Sequence, residues 1–409
     1  GRWSTGANWS TNAVPGIADE VILDNSLVPG AYTVTLPDGA VTVSVLTLTI
    51  TPFQPNTIRL LLPATNTAVP GLRVVATGNA LILNNGAMMQ NSSGAGSGTA
   101  LDISGFLLVH NGASYVHNSS TGHATILNRL STVAGTERGV VEFRIPASGG
   151  GLVSLVGRTF GTVIFSMQEG DLNRDYTFNG TSNTIIRGEL FVRSGVTIRC
   201  GMSASITVNG ALEAENGSVI ILQYGVHNNT LAVRNAIRIG GSLTKTGTGL
   251  PVLECAGTVL QEINIAGTVS SEVTLRINNP AGVQLQSPLT LPYRLELING
   301  KVFTSTTNVL SLANGATYTG GSSSSFVEGP LRKLGDDDFI FPIGKGEIYA
   351  PAAIENISGM SPTDEVIAEY MRQNPRSTFG AAVEPGQDHV SFVEYWLLQQ
   401  TGAAPRHIS

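Results

Sequence analysis

Apolar residues occur along this chain mainly in short runs, which alternate with polar residues or continue for a few positions between Gly, Asn, Ser or Pro. Clear examples are residues 32–36, 41–50, 140–145, 184–186 and 219–222. β-Strands produce this pattern because successive side chains point to opposite faces and turn residues end each strand. The best helical window, residues 364–371, is short and fits a strand equally well. The pattern therefore predicts an all-β protein.

A short phrase, Leu-x4-Gly, recurs within this pattern. Complete copies begin at Leu81, Leu107, Leu190, Leu212 and Leu295, and a looser copy, one residue short, begins at Leu243. The steps between these leucines are 26, 83, 22, 31 and 52 residues. Self-similarity at roughly 20–50 residues is typical of solenoids, in which each unit buries its apolar face against the next. From the first copy to the last, the spacing predicts about eight turns of about 27 residues.

The predicted architecture is a parallel β-helix (β-solenoid) with Leu and Val stacked inside and Gly or Asn at the corners, because those two residues tolerate positive φ. Asn-Gly pairs such as Asn85-Gly86 and Asn216-Gly217 fit such corners. Asn-Gly also marks antiparallel hairpins, so a stack of hairpins is the main structural alternative. The irregular repeat steps favour the β-helix, whose loops vary in length while its strands stay in register.

The chain changes character after the Gly/Ser stretch at residues 320–325, beyond which Pro, charged and aromatic residues become more frequent. Such a stretch is a boundary signal. We therefore predict three parts: an N-terminal cap with the first strands (residues 1–50), the parallel β-helix (51–321), and a small, incomplete β-sandwich-like module (326–409). Trp3 and Trp9 are expected to plug the end of the solenoid, because a terminal turn needs a cap.

Composition and charge narrow the class of protein. Only 13% of the residues are charged, against about 25% in an average globular protein. A net charge of −6 and the lack of a basic patch argue against nucleic-acid binding, and no apolar run is long enough to span a membrane. The two cysteines, Cys200 and Cys255, are expected to be buried thiols, with a disulfide as the alternative.

Candidate metal ligands are few. Asp171, Asn173 and Asp175 have the alternate-oxygen spacing of a calcium loop, but Tyr176 and Ser182 stand where that loop needs Gly and Glu. A polar loop is the preferred interpretation, with a weak Ca²⁺ site as the alternative. The run of three aspartates at residues 336–338 is interpreted as a solvated hairpin tip, with Ca²⁺ as the less favoured option. No other cofactor is expected.

Three acidic residues on neighbouring predicted turns are candidates for catalysis. Glycoside hydrolysis needs two carboxylates about 5–9 Å apart, and Glu189 and Glu213 stand one predicted turn apart, with Glu215 nearby. Alternation places them on the outer face beside Arg187 and Arg193, so a solvated charge ladder is preferred and no catalytic residue is assigned.

Three histidines, His110, His117 and His123, occur within one stretch of the chain. Metal ligation needs imidazoles that converge on one point. The spacings of seven and six residues mix odd and even steps, so strand alternation does not place all three on one face. We therefore assign no metal site to them.

Motifs in the last third of the chain resemble a module of large surface and secreted proteins of the Bacteroidota, which are often exported by the type IX secretion system. They are SFVEGPLRK (325–333), FIFPIGKG (339–346), IAEY (367–370) and VEYW (393–396), preceded by LINGK (297–301) and ATYTGGS (316–322). The start, with Trp3-Ser4, Asn8-Trp9-Ser10, Pro15 and residues 19–22, is similar to the opening of many bacterial surface β-helices. The resemblance implies an adhesin-like protein, of which this chain is a piece without the family's sorting domain.

Together these observations predict a non-enzymatic, secreted or cell-surface structural protein, a rigid solenoid whose polar faces serve adhesion or self-assembly into surface fibres. The expected partners are further copies, neighbouring modules of the same long chain, surface glycans or the secretion machinery. A polysaccharide-active or glycan-binding β-helix protein is the alternative. An ice-binding module is less favoured, because Thr is concentrated in one strand at residues 43–50 and is not repeated turn after turn.

Overall fold

The computed structural model describes residues 1–355, 361–383 and 385–401. These residues are almost entirely β, and their stacked parallel strands form a β-solenoid of about 13 turns. The predictions of an all-β protein and of a parallel β-helix are therefore confirmed. The chain divides into two compact units, Gly1–Gly225 and Val226–Ser409.

The strands of the first unit are short, and consecutive strands of each sheet come from consecutive turns. A 3-10 turn (Gly6–Asn8) and one helix, α1 (Ala124–Leu127), accompany them. In chain order the strands are β1 (Glu20–Asp24), β2 (Tyr32–Thr35), β3 (Val43–Val45), β4 (Thr47–Thr51), β5 (Ile58–Leu62), β6 (Leu72–Val74), β7 (Asn79–Leu83), β8 (Ala87–Asn91), β9 (Leu101–Ile103), β10 (Phe106–Val109), β11 (Ser114–His117), β12 (Val140–Phe143), β13 (Thr159–Phe160), β14 (Thr162–Phe165), β15 (Arg174–Phe178), β16 (Thr184–Ile186), β17 (Leu190–Val192), β18 (Val196–Cys200), β19 (Ile206–Val208), β20 (Leu212–Ala214) and β21 (Val219–Ile221).

One sheet, which we call the long sheet, runs through the first unit in the order β2-β5-β8-β11-β12-β14-β17-β20. Shorter stacks, β1-β4-β7-β10, β3-β6-β9, β13-β16-β19 and β15-β18-β21, form the other sides of the turns. One register column of inward positions in the long sheet is entirely apolar and buried, namely Val34, Leu60, Met89, Tyr115, Val141, Val163, Leu190 and Leu212. Burial of each such side chain contributes about 1.5–3 kcal/mol, so the column is a main source of stability.

The Leu-x4-Gly phrase has the structure that the sequence suggests. The leucines of its five complete copies are at most 2% exposed, and the glycines that end them have φ between 76° and 89°. The copies do not form a single column, however. Leu81 and Leu107 pair with each other in the β1-β4-β7-β10 stack, whereas Leu190 and Leu212 pair in the long sheet. The phrase therefore marks a strand followed by a corner on any side of the solenoid.

Turn length is not constant. In the first unit Arg73 lies in register with Asp102, 29 residues later, whereas in the second unit Arg276 lies in register with Glu296, 20 residues later. The predicted value of about 27 residues lies within this range.

The start of the chain packs beside β2, the terminal strand of the long sheet. Arg2 forms a parallel bridge to Thr35. Trp3 is buried, and its ring meets that of Trp9 edge to face at 4.7 Å. The Trp9 indole Nε1 donates a hydrogen bond of 2.8 Å to the Trp3 carbonyl oxygen, which holds the two rings together.

The second unit has the same construction for most of its described length, with one helix, α2 (Arg376–Phe379). Its strands in chain order are β22 (Thr230–Val233), β23 (Ile237–Ile239), β24 (Ser242–Thr244), β25 (Val252–Cys255), β26 (Gln261–Ile265), β27 (Thr268–Val269), β28 (Thr274–Asn278), β29 (Val283–Leu285), β30 (Leu289–Leu291), β31 (Arg294–Asn299), β32 (Val302–Phe303), β33 (Leu310–Leu312), β34 (Thr317–Gly320), β35 (Val327–Glu328), β36 (Leu331–Leu334), β37 (Phe339–Phe341), β38 (Ile343–Lys345), β39 (Ile348–Tyr349), β40 (Ala352–Ile354), β41 (Glu365–Met371) and β42 (Tyr395–Thr401).

These strands form the stacks β23-β26-β29-β32-β35-β38-β39, β22-β25-β28-β31-β34, β24-β27, β30-β33-β36-β41-β42 and β37-β40. Pairing is parallel as far as β38 and β36, and antiparallel for β38-β39, β36-β41, β41-β42 and β37-β40. The solenoid of this unit therefore ends in a small antiparallel region.

The predicted sandwich-like module at 326–409 is not confirmed. Val327 pairs in parallel with Val302, and Leu331 with Leu310, so the solenoid continues past residue 326. The Gly/Ser stretch that suggested a boundary is a corner, in which the Ser325 hydroxyl donates to the Gly300 carbonyl oxygen at 2.9 Å. Small residues turn the chain tightly here without ending the stack. Residues 356–360, 384 and 402–409 of this prediction lie outside the described part.

Both cysteines are buried and unpaired, as the preferred interpretation of the sequence stated. Burial raises the pKa of each thiol. Among the described residues, no helix combines the length and the apolar character that crossing a membrane requires.

Candidate functional site

The outer face of the long sheet carries a cleft in the first unit. Two adjoining depressions of about 480 Å³ and 430 Å³ share Arg59 and Met88, and we call them together the long-sheet cleft. Its floor is a column of outward residues in register on successive turns, namely Thr33, Arg59, Met88 and Ser114. The cleft therefore runs across the strands, with one floor residue contributed by each turn.

Glycine corners open one side of the cleft. Gly86 and Gly112 line it with φ of 84° and 83°, values that other residues adopt only with strain. Tyr32 lies at the same end, and its hydroxyl donates a hydrogen bond of 2.6 Å to the Asp24 carbonyl oxygen. Burial, with a smaller contribution from the charge of Asp24, raises the pKa of Tyr32 to about 12, so the phenol stays neutral. This end of the cleft offers apolar surface from Tyr32 and Met88.

The other end is a relay of amide, hydroxyl and guanidinium groups. Arg59 Nη2 donates to Gln90 Oε1 at 2.6 Å, and Gln90 Nε2 donates to Ser92 Oγ at 2.7 Å. Asn118 Nδ2, from the following turn, donates to the same hydroxyl at 3.1 Å. Arg59 Nε and Asn118 Oδ1 have no hydrogen-bond partner. Both of these atoms are buried, so the relay holds the side chains in place, and any ligand contact falls to the exposed parts of the same groups.

The two arginines of the cleft differ in charge compensation. Arg144 binds Glu142 Oε1 through Nη2 at 2.7 Å and Nε at 3.0 Å, and the Ser166 hydroxyl donates to the same oxygen at 2.6 Å. Within the described residues, the hydrogen bond found for Arg59 is the one to the neutral Gln90 amide, and no ion pair includes it. Arg59 is therefore a cation without a carboxylate partner at the point where the two depressions meet.

The predicted calcium ligands are engaged with other groups. Asp171 accepts a hydrogen bond of 3.0 Å from the Ala147 amide. Asp175 lies in β15 and accepts hydrogen bonds of 2.9 and 2.7 Å from Arg199, while Asn173 is exposed between them. No group of three or more His, Cys, Asp or Glu residues suited to hold a metal ion is found in the described part of the chain. The preferred interpretation of a polar loop and the alternative of a weak Ca²⁺ site both stay predictions.

The aspartates at 336–338 occupy the turn between β36 and β37. Asp336 and Asp338 are exposed, but Asp337 accepts 2.7 Å hydrogen bonds from Lys333 Nζ and the Gly315 amide. The Lys333 side chain is only 1% exposed. Lys333 and the Gly315 amide together lower the pKa of Asp337. The central aspartate is thus the counterion of a buried lysine, a role that the sequence did not predict.

The acidic residues considered for catalysis lie at the surface of the long sheet. Glu213 is in register with Phe191, not with Glu189, so the two carboxylates do not occupy matching positions. Glu215 accepts a hydrogen bond of 2.9 Å from the Ser194 amide and one of 2.6 Å from Arg193, and both lower the pKa of its carboxyl group. Arg193 and Glu215 therefore form a half-exposed ion pair, whereas Arg187 lies 4.0 Å from Glu137, and the predicted charge ladder of Glu189 and Glu213 stays a prediction.

Two of the three histidines meet inside the first unit. The rings of His117 and His123 are 4.9 Å apart, and both residues are buried. His117 binds the Tyr115 hydroxyl at 3.0 Å and the Thr121 carbonyl oxygen at 3.1 Å, and His123 Nε2 accepts from the Ser154 amide at 3.0 Å. These contacts use the ring nitrogens for internal hydrogen bonds, which is a structural role.

The sequence did not predict the residues that shape the long-sheet cleft. Arg59, Gln90, Asn118 and Arg144 stand about one turn apart along the chain. A search for polar residues at that spacing identifies them only after the turn length is known, because the turns differ in length.

Comparison of the chain with protein-family models, with curated proteins and with solved structures yields no match. The assignment of function therefore rests on the residues and geometry described above.

Proposed function

We propose that this protein is a non-enzymatic, extracellular adhesive scaffold, a stiff solenoid that binds an extended acidic polysaccharide in the long-sheet cleft of its first unit. The observation that carries the proposal is the placement of Arg59, a cation without a carboxylate partner in the described residues, between an apolar end and a polar relay. The low charge content and the resemblance to surface adhesins support the extracellular location.

The spacing of the cleft suits a linear polymer. Neighbouring strands are about 4.8 Å apart, which is close to the length of one sugar residue in an extended glycan. Each turn can therefore face about one sugar unit. Amide and hydroxyl groups bind sugar hydroxyls, and a guanidinium binds a carboxylate with a charge-assisted hydrogen bond.

The stacked turns of each unit are cross-linked by ion pairs, and this rigidity supports binding without catalysis. Ion pairs join successive turns in each unit, such as Arg73–Asp102 at 3.0 Å in the first and Arg276–Glu296 at 2.7 Å in the second. A preformed surface loses little conformational entropy when a ligand binds, so modest contacts produce useful affinity.

The test is affinity electrophoresis and calorimetry with polygalacturonate, alginate and hyaluronan, and with polygalacturonate whose carboxyl groups are methyl-esterified. We expect at least one acidic polymer to bind, the esterified polymer to bind less, and Arg59→Gln to weaken binding about tenfold or more, because a charge-assisted hydrogen bond contributes about 1.5–3 kcal/mol. Arg73→Gln, on another sheet of the same unit, is the matched control. Equal behaviour of the two variants, or no binding to any acidic polymer, contradicts the proposal.

A polysaccharide-active enzyme is the second candidate, because the buried carboxylate of Glu142 lies beside the cleft, held by Arg144 and Ser166. Release of reducing or unsaturated ends from the same polymers, abolished in Glu142→Gln, would replace the adhesive proposal with this one. Unchanged polymer length after prolonged incubation supports binding alone.

A further inference from the structure

The polar end of the long-sheet cleft carries a carboxylate as well as two arginines. Glu169 lines the depression of about 430 Å³ together with Arg59 and Arg144. Glu169 is exposed, and within the described residues its side chain forms neither a hydrogen bond nor an ion pair. Arg144 already pairs with Glu142 at 2.7 Å. Of the charged groups that line this depression in the described part of the chain, Arg59 and Glu169 are therefore the two without an ion-pair partner.

The turn that carries Glu169 is held by hydrogen bonds. It follows β14, and the Asp171 amide closes it by donating to the Gln168 carbonyl oxygen at 3.1 Å. Gly170 has a φ of 94°, which suits the third position of such a turn. The Asp171 carboxylate accepts a hydrogen bond of 3.0 Å from the Ala147 amide of the preceding turn. The carboxylate of Glu169 is thus placed beside the cleft by a short, anchored turn.

The two unpaired charges lie at different strands of the long sheet. The Arg59 guanidinium donates to Gln90, a residue of β8, so its positive charge lies over β8. Glu169 follows β14, and the sheet order β8-β11-β12-β14 puts three strand spacings between them, which is about 14 Å. At about one sugar per strand, a polymer with a carboxylate on Arg59 brings the third sugar beyond it close to Glu169.

This arrangement distinguishes two kinds of acidic glycan. In a homopolymer of uronic acid every sugar carries a carboxylate, so the sugar beside Glu169 is also acidic and the two like charges repel. In a polymer whose uronic acids alternate with N-acetylated amino sugars, the third sugar after an acidic one is neutral. Its hydroxyl and acetamide N–H groups are donors for the Glu169 carboxylate, and the Gln168 amide beside it both donates and accepts.

We propose that the long-sheet cleft selects a glycan in which acidic sugars alternate with N-acetylated amino sugars, and that Glu169 is the residue that rejects homopolymers of uronic acid. This inference rests on the proposed function, because it concerns the same site. Arg59 provides the attraction for a carboxylate, and Glu169 provides the discrimination. A repulsive element directed at the wrong ligand produces specificity that attraction alone does not.

The test is calorimetry of the full chain with hexasaccharides of hyaluronan, which alternates, and of polygalacturonate, which is a homopolymer. We expect the unmodified protein to bind the hyaluronan hexasaccharide more tightly. Glu169→Gln should strengthen polygalacturonate binding about two- to fivefold, the size of one exposed charge contact, and leave hyaluronan binding nearly unchanged. Glu20→Gln, the same substitution at an exposed position of β1 in another sheet, is the matched control and should alter neither affinity.

Salt provides a second readout. Because exposed charges are screened at high ionic strength, the preference for hyaluronan over polygalacturonate should shrink as salt is added to the unmodified protein. In Glu169→Gln the remaining preference should depend less on salt. A preference that salt leaves unchanged would show that sugar shape, and not the charge of Glu169, causes the selection, and it would overturn the proposal.

The outcomes separate this inference from the proposed function. Equal or tighter polygalacturonate binding by the unmodified protein, an equal gain for both hexasaccharides in Glu169→Gln, or the same gain in Glu20→Gln overturns this inference and leaves the proposed function standing. Absence of binding by every acidic glycan contradicts both. Hyaluronan binding that Arg59→Gln weakens and Glu169→Gln retains, with a gain for polygalacturonate in Glu169→Gln alone, supports both.

Discussion

His117 and His123 pack with ring centroids 4.9 Å apart inside the first unit, where both are held neutral. Burial, with a smaller contribution from the neighbouring imidazole, lowers the pKa of His117 to about 3. Burial, with a smaller contribution from Arg158, lowers the pKa of His123 to about 4. The pair forms part of the core as two uncharged rings with internal hydrogen bonds.

The first prediction is acid-sensitive stability of the first unit. Folding lowers the pKa values of both histidines. Below about pH 6.5 the unfolded chain therefore binds more protons than the folded chain does. The stability is fully present above the unfolded pKa of about 6.5 and falls toward pH 4 by up to about 1.4 kcal/mol per pH unit for each histidine. Urea unfolding at pH 7.5, 6 and 5, followed by fluorescence, measures this slope; Trp3 and Trp9 lie in this unit.

The variant His117→Asn/His123→Asn should flatten this pH dependence, whatever its effect on stability at neutral pH. His227→Asn, at an exposed site of the second unit, is the control and should leave the slope unchanged. An unaltered slope in the double variant would show that other groups cause the acid sensitivity.

The second prediction concerns the buried Lys333. Its ammonium group donates to Asp337 and to the carbonyl oxygens of Ala313 and Leu334, each at 2.9 Å or less. Asp337→Ala leaves a buried charge without its counterion, which costs about 3 kcal/mol or more. Lys333→Met leaves a half-exposed carboxylate that water can solvate and two unpaired carbonyls, so we expect about 1–3 kcal/mol.

Chemical unfolding of both variants measures which one loses more free energy of unfolding. Asp336→Asn, at an exposed neighbouring position, is the control. A smaller loss for Asp337→Ala than for Lys333→Met would contradict the assignment of Asp337 as the required counterion.

The third prediction compares two corner glycines of the second unit with similar backbones. Gly300 has φ of 89° and Gly315 has φ of 74°. A Cβ at Gly300 would lie 1.7 Å from the Asn279 carbonyl oxygen, whereas a Cβ at Gly315 would meet nothing within 4 Å. We expect Gly315→Ala to cost about 1–2 kcal/mol from backbone strain alone and Gly300→Ala to cost clearly more. Chemical denaturation of both variants checks this. Equal midpoints and slopes for Gly300→Ala and Gly315→Ala would argue against the close approach of turns at Gly300.

The fourth prediction concerns the two thiols. Cys200 and Cys255 are at most 2% exposed, and burial raises the pKa of each, so little thiolate forms at neutral pH. Treatment of the native protein with iodoacetamide should leave both cysteines unmodified by mass spectrometry, and treatment in urea should modify both. Rapid alkylation of either residue under native conditions would place it at an accessible site.

Much of the fold is readable from local pattern. The alternation in β5 and β15 and the inward leucines before corner glycines follow from properties of single strands and turns, which neighbouring residues determine. The continuation past residue 326 was not readable, because the Gly/Ser stretch has the same composition whether it ends a domain or turns a corner. The burial of Val327 and its pairing with Val302 decide between these outcomes.

The candidate site depended on contacts between turns. The alternation of side chains along a strand does not predict the contact between His117 and His123. β11 ends at His117, and the chain turns before His123. In the sequence, nothing distinguishes Lys333 and Asp337 from other charged residues. Their pairing depends on the turn between β36 and β37, which brings the two side chains together.

By itself, the sequence determined the fold class, the inward leucines and the positions of many corners, because strand alternation and positive φ are local properties. The tertiary structure alone decided that Arg59 and Gln90 are hydrogen-bonded across a turn and that the Ser166 hydroxyl donates to Glu142 of the preceding turn. Both depend on how many residues each turn takes, and this number varies, for example from 33 between Leu48 and Leu81 to 16 between Val327 and Ile343. Which residues become neighbours in a solenoid is therefore a property of the stacked turns and not of the spacing along the chain.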